Sequence, residues 1–213
     1  KAYKDDNGHV FLFRPQENYK RINKSCSRLA MPEFPEEWFD QALRTLVDID
    51  SEWIKPGFGN ALYLRPFMIA TTAGVQAAPA KNYLFMIITA PVQAYYKGDV
   101  KVKIADYYSR AANGGFGFAK AAGNYAGQFY PTQQAAAEGY QQVMWTDDAT
   151  HQYLEEAGTM NLWFRLGDTL VTCPTSERIL DGVMRKSIIA VAEKLGIKTE
   201  IRPVKVTELI EAA

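Results

Sequence analysis

The sequence predicts an α/β (α+β) protein of two domains, a smaller α/β domain followed by a larger, β-rich one. Three observations carry this. An amphipathic helix and two long apolar strands fill the first part; a proline- and tyrosine-bearing stretch with a Lys-Gly-Asp turn interrupts the pattern near residue 95; short β-prone runs separated by turn signals follow.

Over 36–50, Phe39, Leu43, Leu46 and Val47 recur at helical spacing, with Pro35 just before and acidic residues in the first turn. Ala61–Ala70 and 83–90 are apolar, aromatic-rich and bounded by Gly and Pro, so they read as core strands. The stretch 91–99 reads as a connection, giving domains 1–93 and 104–213 joined by 94–103. Residues 131–138 read as a short helix. Gln142–Thr146, 161–166 and Thr169–Thr172 read as strands, the last two joined by the Gly167-Asp168 turn. After Gly182, Ile188, Val191, Ala192 and Leu195 keep helical spacing up to Gly196, a stop signal.

Composition narrows the function. The 213 residues carry 24 basic and 24 acidic side chains with no basic block, which argues against nucleic acid as a partner. Apolar runs such as 83–92 are too short for a bilayer, and the opening Lys-Ala-Tyr-Lys-Asp-Asp has no apolar signal core, so no membrane partner is expected. Cys26 and Cys173 are too few and too isolated for a disulfide framework or a zinc site, which fits a reducing cytoplasm. With His9 and His151 as the only histidines, no metal site is expected, and any base is expected to be another residue.

The densest small-residue segment is Gly114-Gly-Phe-Gly-Phe-Ala-Lys120-Ala-Ala-Gly-Asn-Tyr125. It is no P-loop, because Ala121 stands where Ser or Thr must follow the lysine, and no dinucleotide fingerprint, because Lys120 occupies the third-glycine position. On composition alone Lys120 is a surface lysine. Glu155 and Glu156 alone are a solvated acidic pair in a polar turn, and Arg65 alone reads equally as a phosphate ligand or as an ordinary strand arginine paired with a carboxylate.

Together, four stretches resemble the fold-type IV pyridoxal-phosphate enzymes, branched-chain aminotransferases in particular. Gly117-Phe-Ala-Lys120-Ala-Ala-Gly-Asn-Tyr125 is similar to the stretch around the family's Schiff-base lysine, and Tyr153-Leu-Glu-Glu156-Ala-Gly-Thr-Met-Asn161 to its glutamate motif. Leu62-Tyr-Leu-Arg65-Pro66 is similar to its phosphate-binding arginine, and Ile179-Leu-Asp-Gly182-Val-Met-Arg-Lys-Ser187 to its phosphate loop. The resemblance implies a cofactor, pyridoxal 5′-phosphate (PLP), held between the two domains.

It also implies roles. Lys120 carries the cofactor and moves the substrate proton; small, apolar surroundings would disfavour an ammonium and leave a nucleophilic amine. Glu156 keeps the pyridine nitrogen protonated, Tyr125 meets the ring oxygen and Leu180 packs on the ring. Arg65, the Gly182-Val183-Met184 backbone and Arg110 serve the phosphate end. Thr159 and Tyr95 face the substrate. Met184 departs from the threonine frequent in the family, which removes a hydroxyl but keeps a backbone donor; Ser176-Glu177-Arg178 departs from the frequent Ser-Gly-Thr, and no role is assigned there.

The implied reaction moves the amino group of leucine, isoleucine or valine to 2-oxoglutarate by a ping-pong mechanism, with amino acids and 2-oxo acids as partners, in a homodimer or an assembly of dimers. D-amino-acid aminotransferase, aminodeoxychorismate lyase and a non-catalytic module of the same fold are the competing readings. The match starts inside the family's Phe-Glu-Gly-x-Lys-Ala-Tyr segment and stops after Val204-Lys-Val-Thr-Glu-Leu209. Flanking family segments, and the donors they carry, are therefore expected outside this chain, and a polypeptide confined to it is expected to have little activity.

Overall fold

The computed structural model describes residues 1–93 and 98–212 and divides into two units, Lys1–Gly98 and Asp99–Ala213. In the first, β1 (Ala2–Lys4), β2 (Val10–Leu12), α1 (Pro15–Arg28), α2 (Glu36–Ile49), β3 (Ala61–Ala70) and β4 (Tyr83–Val92) build an antiparallel sheet in the order β2-β1-β3-β4. Alternation along β3 and β4 puts Leu62, Leu64, Phe85 and Ile87 on the face that packs with Phe39, Leu43 and Val47 of α2. Phe39 is 2% exposed, so truncating it to alanine would cost about 3–5 kcal/mol.

Two expectations change here. The core strands are covered on one face only within this unit, since Arg65, Ile69, Leu84 and Ile88 are exposed. Pro91, assigned to the connection, lies in β4 opposite Leu62; a proline fits there because β4 is an edge strand and need not donate on its outer side. Helix α1 was not predicted. Its apolar stripe is thin, Tyr19, Ile22 and Cys26 among polar residues, and buried Asn23 fixes it by exchanging 2.9 Å hydrogen bonds with the backbone N–H and C=O of Phe34.

The second unit begins with β5 (Val102–Ile104), so Val102 and Lys103 belong to a strand and not to a linker. It continues with α3 (Ala122–Ala137), β6 (Gln142–Thr146), β7 (Tyr153–Ala157), β8 (Met160–Asn161), β9 (Trp163–Leu166), β10 (Thr169–Thr172), α4 (Val183–Lys194), β11 (Thr199–Ile201), β12 (Val204–Lys205) and α5 (Val206–Glu211). One sheet runs β12-β7-β6-β5, with β8 on β7; the other runs β11-β10-β9. Helix α3 is the crossover that parallel β5 and β6 require. It starts nine residues before the predicted 131 and contains Pro131, because burial of Gln128, Pro131 and Ala135 outweighs weak local propensity.

Strands β6 and β7 lie inside the sheet. Met144, Leu154, Phe164, Val171, Cys173, Ile179 and Val204 form the main core, and Trp145, fully buried, centres a second cluster with Ala105, Ala135 and Val143. Among the described residues no helix is long and apolar enough to cross a membrane.

Candidate active site

Residues 105–121, between β5 and α3, form neither helix nor strand. The segment is pressed against the 176–182 loop. A Cβ at buried Gly117 would stand 2.5 Å from the Ala111 Cβ and 2.7 Å from the Arg178 carbonyl oxygen, so only glycine fits. The Asn124 amide donates to the Phe116 and Ala119 carbonyls, both at 2.9 Å, and ties the segment to the start of α3.

Lys120 sits just before that helix. Its amine donates to the hydroxyl of Tyr125, in the first turn of α3, and lies 5.0 Å from the Tyr125 ring centroid. The side chain is exposed, not enclosed by the small residues around it. The expected apolar surroundings are therefore not supplied by its sequence neighbours: alanines and glycines have too little side chain to cover a lysine.

Glu155 and Glu156, read as a solvated turn, both lie within β7 and are 4% and 5% exposed. Successive strand residues point to opposite faces, so the two carboxylates have separate partners. Glu156 Oε1 meets Arg110 Nη2 at 2.6 Å, with both side chains buried, and Oε2 accepts from the Leu180 backbone N–H at 3.2 Å and from Asn161 Nδ2 at 3.3 Å. Burial raises the Glu156 pKa to about 7, opposed in turn by Arg110, the Leu180 N–H and the charge of nearby Lys120. Arg110 thus meets the glutamate and the carbonyls of Gly117 and Arg178.

Asn161 lies opposite Glu156 in the β7–β8 pair, and its amide also donates to the Leu180 carbonyl at 2.7 Å. Leu180 therefore joins the site through its backbone, its side chain being half-buried. Gly182 is the N-cap of α4, and a Cβ there would fall 2.0 Å from the Asn161 Oδ1. No side chain caps α4, so Val183 and Met184 begin a helix whose first N–H groups have no intrahelical acceptor and favour an anion. Met184 is 60% exposed.

The second unit thus brings together Lys120, Tyr125, Glu156, Arg110 and Leu180, with the start of α4 linked through Asn161. Thr159 is exposed in the β7–β8 turn, and Arg65 is exposed on β3 of the first unit, 5.3 Å from the Tyr63 ring centroid. Tyr95 lies outside the described residues. Asn161 stands in the glutamate motif, where sequence reasoning gives it no role; its place five residues after Glu156 across a tight turn is the signal that could have found it. Arg178, on the Glu155 side, gave no such signal.

The sequence pattern of the family described as amino-transferase class IV matches residues 2–213. The chain is 45% identical over 216 residues to the probable branched-chain-amino-acid aminotransferase of Staphylococcus epidermidis RP62A, covering all of this chain and 60% of that protein. It is 41% identical to branched-chain-amino-acid transaminase 1 of Bacillus subtilis 168, covering all of this chain and 61% of that one. Its fold is that of the branched-chain amino acid aminotransferase of Thermobaculum terrenum in its PLP form, with a TM-score of 0.82 at 21% identity over 97% of this chain and 67% of that one. The chain spans about 60% of the length of the curated relatives it matches and belongs to the class IV aminotransferase family.

Proposed function

We propose that this chain carries the PLP-binding and proton-transfer residues of a branched-chain-amino-acid aminotransferase, which moves the amino group of leucine, isoleucine or valine to 2-oxoglutarate. The observation that carries the reading is the joint placement of Lys120, Tyr125 and buried Glu156 in one unit. The names and cofactor form of the relatives support it.

The side chains fit such a cofactor. An exposed amine stands beside a phenol; a buried carboxyl whose pKa burial raises to about 7 titrates near neutrality, so a further positive partner would favour its ionised form; an uncapped helix start offers N–H groups to a phosphate. When bound, PLP supplies an aldehyde that takes up the donor's nitrogen and a ring that withdraws electrons from its Cα.

The protein's residues do the rest. Lys120 holds the cofactor and then moves the proton at the substrate Cα, so one amine is anchor and general base. Glu156 holds the proton on the ring nitrogen, Tyr125 orients the ring oxygen, and Leu180 and Asn161 keep Glu156 aimed. Val183, Met184 and Arg65 bind phosphate; Thr159 and Tyr95 contact the substrate. A homodimer in the cytoplasm belongs to the same proposal.

An amino-donor panel with 2-oxoglutarate, read as glutamate formation and as a change in visible absorbance, tests the reading. Leucine, isoleucine and valine should lead. A panel led by D-alanine, or no turnover by the full-length protein, overturns it.

A further inference from the structure

We infer that Arg178, with its neighbour Glu177, is a positioning residue for Lys120: the pair clamps the glycine-rich segment that ends at Lys120 against strand β7. This rests on the reading of Lys120 as the cofactor-bearing residue.

The need for a clamp follows from the segment itself. Beyond Ala105, whose N–H still donates to Met144 of β6, residues 106–121 lie outside any strand or helix, and Gly114, Gly115 and Gly117 raise the conformational entropy that must be lost to hold Lys120 still. Asn124 restrains only the end next to α3.

Ala105 is held by β6 and Arg110 by Glu156, and several restraints on 113–118 come from 177–178. Glu177 Oε2 accepts the Gly114 N–H at 2.8 Å, and its carbonyl accepts the Phe118 N–H at 3.0 Å. The Arg178 carbonyl accepts from Arg110, its Nη1 donates to the Asn113 side chain, and its Nε donates to Glu155, with Asp148 Oδ1 at 3.6 Å. One guanidinium therefore ties the glycine segment to buried Glu155. Since Glu155 and Glu156 point to opposite faces, Arg178 and Arg110 grip β7 from both sides, and both also hold the glycine segment. A Ser-Gly-Thr sequence at 176–178 would offer neither the Glu177 carboxylate nor the Arg178 fork.

The test compares Arg178→Met, Arg178→Lys and Glu177→Ala with wild type in the full-length holoenzyme. Amide hydrogen exchange is followed over 111–120, together with kcat per trapped cofactor and KM for leucine. Arg178→Met should speed exchange at Gly114 and Phe118 by about 10-fold or more and lower kcat per loaded site by roughly 10- to 100-fold, with KM little changed, because Lys120 is misplaced while the substrate contacts persist. Arg178→Lys should restore part of both, a point charge replacing a fork. If Arg178→Met fails to fold, Glu177→Ala, which removes one exposed side-chain contact, still must speed exchange at Gly114.

Unchanged exchange over 111–120, or a kcat per loaded site equal to wild type in a variant that is merely less stable, overturns the proposal. A wild-type protein that binds PLP but does not turn over leucine overturns the functional reading instead, and exchange still decides the clamp.

Discussion

Glu155 and Glu156 are adjacent on one strand and almost equally buried, yet their surroundings differ. Glu155 meets Arg178, whose side chain keeps 21% of its exposure, so the cation retains part of its hydration. Glu156 meets Arg110, whose side chain is 5% exposed, and gains two further donors from Leu180 and Asn161. Burial prevails at both and raises both: Glu156 to about 7 against Arg110, and Glu155 upward against the direct Arg178 hydrogen bond. A buried ion pair must offset the desolvation of both partners, and the drier pair does so less completely. One face of β7 thus holds a closed structural pair, and the other a carboxylate that can still accept a positive partner.

The comparison breaks first at Lys120, whose charge acts on the Glu156 side. On the proposed assignment, Lys120→Ala should lower transamination by roughly 10³-fold or more, since anchor and base would vanish together. Borohydride reduction and peptide mapping of the wild type should find the cofactor on the peptide containing Lys120; label on Lys81 or another lysine would sink the assignment.

Next is pH. Glu156 has a folded-state pKa of about 7 against the ordinary glutamate value of 4.5, so between those values the folded protein holds a proton that the unfolded chain has released. The stabilisation is fully present below 4.5 and is lost as pH rises through 7, about 3 kcal/mol at 1.36 kcal/mol per unit. Denaturation of the cofactor-free protein between pH 4.5 and 8 should show this fall relative to Glu156→Gln, in which the site cannot titrate. Parallel curves for the two proteins would contradict the Glu156 environment.

The two carboxylates then separate in rate. On the proposed assignment, Glu156→Gln removes the charge that would hold a proton on the ring nitrogen and should cost roughly 10²-fold in kcat. Glu155→Gln keeps an acceptor for Arg178 and should cost less than about 10-fold. Equal losses would erase the distinction between the faces.

Much of the fold was legible locally. Helix α2 and strands β3, β4, β6 and β10 follow from periodicity and turn residues, because their burial repeats at helical or alternating spacing within a short window. Helix α1 was missed because its apolar stripe is narrow and is fixed by the long-range Asn23–Phe34 bonds, and α3 was shortened because burial of Gln128, Pro131 and Ala135 supports a sequence containing Pro131. The site was less legible. Lys120 is an exposed lysine, as composition alone suggested, and only the resemblance singles it out. The burial of Glu155 and Glu156 was invisible because the arginines that accompany them come from distant segments, and which arginine meets which carboxylate is a property of the sheet.

The smallest expected effect sharpens the picture of the Glu156 face alone, through Asn161. Its Nδ2 reaches Glu156 and the Leu180 carbonyl, while its Oδ1 occupies the space a side chain at position 182 would need, 2.0 Å from an added Cβ. Gly182→Ala must therefore push Asn161 away, at about 1–3 kcal/mol of overpacking, and should loosen Glu156 and the start of α4 together. Backbone strain is not the cause, because Gly182 has φ −71° and ψ 136°, which alanine adopts readily. In an Asn161→Ala background the collision partner is gone, so the same Gly182→Ala change should cost far less. Denaturant unfolding of the four proteins gives the coupling energy directly. Additive costs would show that Asn161 does not fill the space beside Gly182 and would remove the link between the carboxylate and the anion-binding end of the site.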